Sequence, residues 1–559
     1  MSLARTLFAA ALATSAVVAS ATAARADDGD DAADADDGDG MDDRFFVDKV
    51  EADGQEDQTL WQGSLTGTTF AHREAAGISD PLTGATVGAE NAAPTRWFTD
   101  LRAQLDARHI KGGGWDARVD ARARLVSTID STGNGGPDEL STQSGTFGGN
   151  EYDLRDLYLV RGSTRTDLFL GRQTVLDLAG VKIDGVRLDY AKNRRWTYLG
   201  FAGLYPVRGS RSVTTDYPVG VDAMGNPGKR VTPVAGGGGA AYRSTRAYGA
   251  IGGVVIVPLS DDVATGTMEQ PRLFVTSNGY WRRSSQLDVY HYAVVDIVGA
   301  AGFGITNLSA GVNWRPDLRI HVNAAYHRVD TETLDVQAQT QLEDRDPGNV
   351  GVIQNNVAVQ RIASDSARVS VSTALGKTLR WELSVAGAVR RRPEITLTAN
   401  PGGIDQTIPA AESAEIFFQA VDRHFYGDLR LAGSLSRVFD LPGLGGNAAR
   451  STSTIVRVTA NKELEDGRME VEGDLGFMTG ADETRAACSV ADIETCYGTS
   501  SVRTISLGGT AFYRLKRNWY AMATVELAQQ ALTVLDGTTE VSQPSILMTT
   551  GFLRVAYRF

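Results

Sequence analysis

Between Gln58 and Phe559 the chain changes character at almost every second residue, and that period limits what it can fold into. The clearest case is 115–125. Trp115, Ala117, Val119, Ala121, Ala123 and Leu125 alternate with Asp116, Arg118, Asp120, Arg122 and Arg124. Successive side chains of a strand point to opposite faces, whereas a helix would mix these two sets. Residues 97–107 repeat the pattern, with Thr99, Leu101, Ala103 and Leu105 against Asp100, Arg102, Gln104 and Asp106, and the run Lys111-Gly-Gly-Gly links the two as a tight turn. The same unit recurs at 186–190, 318–327, 379–385, 469–477 and 519–527. At the other end of the chain, Leu553, Val555, Tyr557 and Phe559 take one face and Arg554 and Arg558 the other. Each strand therefore has an apolar face and a charged one.

The rest of the sequence says where the apolar faces go. Arg5 is a short basic start, 7–20 is an apolar run, and Ala24-Arg25-Ala26 is a small-x-small cleavage pattern, so 1–26 reads as a secretory signal peptide. No later run of 18 or more apolar residues exists; the longest, 249–259, suits one strand. An exported chain that lives in a membrane without a spanning helix has one other way to satisfy its backbone, a closed barrel. The mean hydropathy of -0.18 agrees with this, because half of a barrel strand faces water. The formal charge of -13 comes mostly from ten aspartates between Asp27 and Asp43, and without them the balance is -3. So 27–57 is expected to be a disordered acidic periplasmic tail, 58–559 one barrel, and nucleic acid no partner. Cys488 and Cys496 sit in a Gly/Ala/Thr-rich loop, and in an exported chain they are expected to form a local disulfide.

Short and long connections alternate. Tight turns are expected near 111–114, 162–165, 192–195, 244–247, 283–286, 315–317, 376–378, 422–424, 462–467 and 516–518. Between them lie mostly longer stretches such as 127–149, 205–238, 330–364, 392–412 and 479–501. Short turns on one rim and long loops on the other describe an all-β, transmembrane, antiparallel up-and-down barrel of about 22 strands, with 18–24 acceptable and the short side periplasmic. All 16 prolines fall in loops or at segment ends, where no ladder bond is lost. Six of the eight tryptophans lie close to a tight turn, and Trp61 starts the first strand, which predicts an indole ring at the periplasmic interface. A final strand closing on Phe559 resembles the closing strand of bacterial outer-membrane barrels. That resemblance implies recognition by the barrel-insertion machinery and residence among outer-membrane lipid and lipopolysaccharide of a Gram-negative envelope.

No catalytic constellation is visible. Gly-x-Ser-x-Gly is absent, the six histidines are scattered, and Gly236–Gly239 lacks the Lys-Ser/Thr of a phosphate cradle and reads as a flexible loop. Neither an enzyme, a metal nor a cofactor is expected. The charged faces instead predict a wet lumen lined by Arg102, Asp106, Arg118, Asp120, Arg122, Arg124, Arg187, Asp189, Arg319, Arg380 and Glu382. Its arginines either form a local anion-preferring wall or pair with Asp106 and Asp120 as cross-strand ladders. With only 27–57 ahead of the first strand, a folded N-terminal plug is not expected. A loop turned inward, 205–238 or 330–364, is the alternative way to fill the bore.

A further resemblance rests on Leu168-Phe-Leu-Gly-Arg-Gln-Thr-Val175 followed by Asp184-Gly-Val-Arg-Leu-Asp-Tyr190. Gly-Arg-Gln in one strand and Asp-Gly-Val-Arg in the next is similar to the alginate-export type of outer-membrane barrel and related porins. It implies that Arg172, Asp184 and Arg187 face the pore, where the family's arginines attract anionic sugar polymers. Three functions are thus in view: passive diffusion of small hydrophilic solutes, export or uptake of an anionic polysaccharide, and a structural or adhesive surface barrel without an open pore.

Overall fold

The structure, a computed structural model, describes residues 59–559 apart from connecting segments, the longest being 130–150, 207–218, 258–270, 331–362, 441–450 and 483–499. The leader, the acidic segment, both cysteines and most of 205–238 and 330–364 lie outside the described residues.

The strands are β1 (Leu60–Ala76), β2 (Thr95–Arg108), β3 (Trp115–Ile129), β4 (Glu151–Gly162), β5 (Thr166–Val175), β6 (Val181–Ala191) and β7 (Trp196–Leu204). They continue with β8 (Val234–Arg243), β9 (Ala247–Val257), β10 (Arg272–Ser284), β11 (Leu287–Val298), β12 (Gly304–Trp314), β13 (Ile320–Asp330), β14 (Ala363–Leu375) and β15 (Trp381–Arg392). The last are β16 (Ala411–Tyr426), β17 (Leu429–Asp440), β18 (Ser451–Leu464), β19 (Met469–Asp482), β20 (Ser500–Lys516), β21 (Trp519–Asp536) and β22 (Ile546–Arg558). Each pairs antiparallel with the next, and β22 returns to β1 from Ser64↔Arg558 to Ala76↔Ile546, so 22 strands close into a ring. A short extra strand, Thr539–Ser542, pairs only with the end of β21. Among the described residues the only helical segment is a single 3-10 turn, Ile110–Gly112.

The closed ring removes every sheet edge, which is the condition for a strand to sit in lipid. Its outer face carries the exposed large apolar side chains, for example Leu65, Leu101, Val385, Leu475, Val525 and Leu553. Seven tryptophans, Trp61, Trp115, Trp196, Trp281, Trp314, Trp381 and Trp519, stand beside the tight turns of one rim, while Trp97 lies toward the other. An indole is most stable where its ring meets lipid and its N–H meets water.

Nine of the ten expected tight turns fall where the alternation puts them. The turn expected at 422–424 is instead at Gly427–Asp428. Asp422 stays in β16, its carboxylate accepting from Arg380 and from the His424 backbone N–H, and the ladder slips between Asp422 and Tyr426. The glycine run 236–239 is no loop: it forms the middle of β8, paired on both sides. Glycine contributes little to a strand by itself, so this one is held by its neighbours, for a reason given below.

Phe559 extends the closing ladder by one residue. Its N–H donates to Gly63 O at 3.1 Å, its carbonyl accepts from Gly63 N at 3.2 Å, and its ring lies 5.8 Å from that of Tyr557. Two such bonds and a ring pair are worth roughly 1.5–4.5 kcal/mol together. Deleting Phe559 is therefore expected to lower the share of chain that refolds in detergent into a form migrating fast unless boiled. An unchanged share would mean that closure is set by the other pairs of β1 and β22.

Candidate functional site

On the inward face of β2 and β3 the charges are matched. In register, Asp100 faces Arg124, Arg102 faces Arg122, Gln104 faces Asp120 and Asp106 faces Arg118. Directly opposed arginines would repel. Here each turns diagonally to a carboxylate. Arg102 reaches Asp120 with Nε and Nη2 at 2.8 and 2.6 Å, Gln104 adds a third donor at 3.1 Å, and Arg122 Nε lies 3.6 Å from Asp100. Arg124 grips the same Asp100 at 2.8 and 3.1 Å. Arg118 stands between Asp106 and Asp156, 3.8 Å from each. Bidentate guanidinium–carboxylate pairs are the strongest and most directional of ion pairs. The ladder arrangement thus accounts for these basic residues better than an anion-preferring wall.

Further round the ring the wall is different. The five-residue connection between β5 and β6 turns into the lumen and rests on the inner faces of β6 to β11. Leu178 at its tip is fully buried. A methyl group added to Gly239 or Gly252 would strike Leu178 Cδ2, so the bare backbone of β8 and β9 is the socket into which this side chain fits. Leu178 thus accounts for Gly239, and the Phe201 ring, which a methyl group on Gly237 would strike, accounts for Gly237. Val175, Ile183, Leu199, Phe201, Val254 and Phe274 close around it as a dry cluster inside the barrel.

Beside Leu178, Asp177 is the polar anchor. Its carboxylate accepts from Arg187 Nη2 at 3.1 Å, Arg243 Nη2 at 3.1 Å and Tyr248 OH at 2.5 Å. Arg187 also grips Asp189 at 2.8 and 2.7 Å and lies 5.0 Å over the Phe169 ring. Two arginines and two aspartates balance, which is what a buried charged group needs. The tip's own carbonyls are taken by Asn278 and Tyr292, each at 3.5 Å, and Ala179 and Gly180 hold the turn in the left-handed region. The hairpin leaves the wall at a row of glycines in register, Gly171 opposite Gly185 opposite Gly203. Gly171 has φ +127, and a Cβ on any of the three would strike the neighbouring backbone. A crease this close admits no other residue.

Arg172 and Asp184, opposite one another in β5 and β6, bind each other through two contacts of 2.6 Å on the hairpin face away from Gln173 and Ile183. Arg172 Nη1 also donates to Leu154 O. Arg187 and Asp189 point inward but are covered by the tip. Glu382 accepts from Arg423 at 2.9 Å. Two expected lumen residues are outside the strands. Arg319 is in the turn before β13, because the Asp317 carboxylate accepts from the N–H groups of Arg319 and Ile320 and starts the strand only at Ile320. Arg380 precedes β15 and binds Asp422 at 2.7 and 2.6 Å beside Trp381, at the tryptophan rim. The inward tip has no signal of its own in the sequence; the apolar run 249–259 is its one trace. A strand apolar on both faces is covered on both.

A sealed ring, apolar outside and charged inside, with indoles on the short-turn rim, is how strands cross a membrane. The chain folds as a sealed 22-strand antiparallel β-barrel of the kind that spans a membrane. No family model matches it, and no curated protein does. Solved structures similar to it include the ferric enterobactin receptor of Pseudomonas aeruginosa (10% identity, 89% of this chain, 81% of that one, TM-score 0.47). OccAB1 of Acinetobacter baumannii is another (10% identity, 89% and 97%, TM-score 0.34). A bacterial polysaccharide outer-membrane secretin is a third (11% identity, 65% and 98%, TM-score 0.30).

Proposed function

We propose that this barrel is a passive channel for small hydrophilic solutes, partly occluded by the tip at 176–180. The observation that carries the reading is a ring of 22 strands whose inward charges are compensated in pairs. A ring of that size leaves more room than side chains can fill. Paired charges make it wet without a net field, so selectivity between small ions is weak. Reconstitution in planar bilayers should give discrete conductance steps with a K⁺/Cl⁻ permeability ratio near one. A silent bilayer containing correctly folded protein would instead favour a closed structural barrel.

Carriage of an anionic polysaccharide is the second reading, and it rests on the resemblance around Arg172 and Arg187. Both arginines are already neutralised, by Asp184 and by Asp177 with Asp189. Uronate oligomers added to either side are therefore expected to leave the current unchanged. Block by oligomers, abolished in Arg172→Ala, would restore the second reading.

A further inference from the structure

The outer face near the long-loop rim holds a feature that conduction does not use. Four residues share one hydrogen-bonding row of β17 to β20: Arg437 opposite Thr454, Thr454 opposite Thr479, Thr479 opposite Arg503. The row two residues nearer the short turns is wholly apolar, Leu435–Val456–Phe477–Ile505, and the one below it is Gly433–Val458–Leu475–Leu507. Leu435, Val456, Leu475 and Ile505 are exposed and therefore face lipid. Alternation puts the two arginines on that same outer face, one step of the pleat above the apolar band, at about 7 Å. This is the level at which lipid headgroups begin.

Two other arginines on this face are held by carboxylates: Arg328 binds Asp365 and Arg391 binds Glu412, both at 3.0 Å. Arg437 and Arg503 are exposed, and no described carboxylate stands on the outward side of these rows. Arg503 lies 5.4 Å over the Phe477 ring, which orients its guanidinium, and no carboxylate among the described residues pairs with it. The two arginines are three strands apart, about 14 Å between backbones, with two hydroxyls between them. Cations held at headgroup depth beside hydroxyl donors match a phosphate, which takes charge-assisted bonds from guanidinium.

We propose that Arg437 and Arg503, with Thr454 and Thr479 between them, bind the phosphate groups of a phosphorylated glycolipid of the outer leaflet, whose acyl chains lie on the apolar rows below. The inference rests on the membrane placement of the barrel and holds whether or not the lumen conducts. The test is binding of diphosphoryl lipid A to the full chain in neutral detergent, followed by native mass spectrometry. The wild type should bind it, and Arg437→Gln/Arg503→Gln should bind about thirtyfold more weakly. Arg430→Gln, on the inward face of β17, should bind as the wild type does. Dephosphorylated lipid A should bind the wild type as weakly as diphosphoryl lipid A binds the double variant. Equal binding by the double variant, or equal binding of the dephosphorylated lipid, would overturn the proposal. So would displacement by equimolar inorganic phosphate, which would indicate a soluble-anion site. Retained heat-modifiable migration of the double variant separates these outcomes from a failure of the barrel itself.

Discussion

Leu178→Ala is expected to raise the time-averaged conductance of the barrel. The side chain is fully buried in a socket of two glycines, and emptying such a site costs about 2–5 kcal/mol. Of the other apolar tip residues, Ala179 packs on the same cluster and Leu176 is exposed. A change of 2 kcal/mol already shifts the balance between seated and unseated tip by about thirtyfold. In single-channel records the loss should appear as more frequent visits to a larger conductance level, with no change in the fully open step. Asp177→Asn gives an independent reading of the same device. It removes the charge that Arg187 and Arg243 share and leaves two cations facing one aspartate. If both variants keep the wild-type record, the tip does not narrow the conducting path. The dry cluster would then be only a buttress of the wall.

The alternation of polar and apolar residues revealed the fold because a lipid-facing strand and a lumen-facing strand are the same strand read on two faces. Strand number, the short-turn rim and the tryptophan ring all follow from a period of two and from where the turns fall. At a few places local chemistry overrides that period. Asp317 caps the start of β13 and so removes Arg319 from the wall. Asp422 carries β16 past the expected turn by binding Arg380. The largest miss, the inward tip, has a sequence that looks like any short turn. Its meaning lies in glycines some sixty to seventy-five residues further on, Gly239 and Gly252, whose lack of side chains becomes legible only when Leu178 is set against them. The pairing of the lumen arginines was half visible. Residues 97–107 and 115–125 gave both signs on the right faces, but the diagonal geometry that decides between ladder and open wall depends on register, which sequence alone leaves free.

Removing the carboxylates of the ladder should turn a weakly selective bore into an anion-preferring one. In Asp100→Asn/Asp120→Asn the same volume remains, but Arg102, Arg122 and Arg124 lose the negative charges of the carboxylates that now hold them at 2.6 to 3.6 Å. Three guanidinium groups, charged at any working pH, then face water on two adjacent strands. The Cl⁻/K⁺ permeability ratio measured from reversal potentials should rise above the wild-type value. The rise should be clear at 0.1 M salt, where charge is felt over about 10 Å, and fade at 1 M, where it is felt over about 3 Å. That salt dependence separates a field effect from a change of bore, which would alter the ratio equally in both solutions. The reciprocal change, Arg102→Gln with Arg124→Gln, leaves Asp120 and Asp100 underpaired and should move the ratio toward K⁺. If neither pair moves it, ions pass along a part of the wall remote from β2 and β3, and the matched charges there serve only to hold the two strands in register.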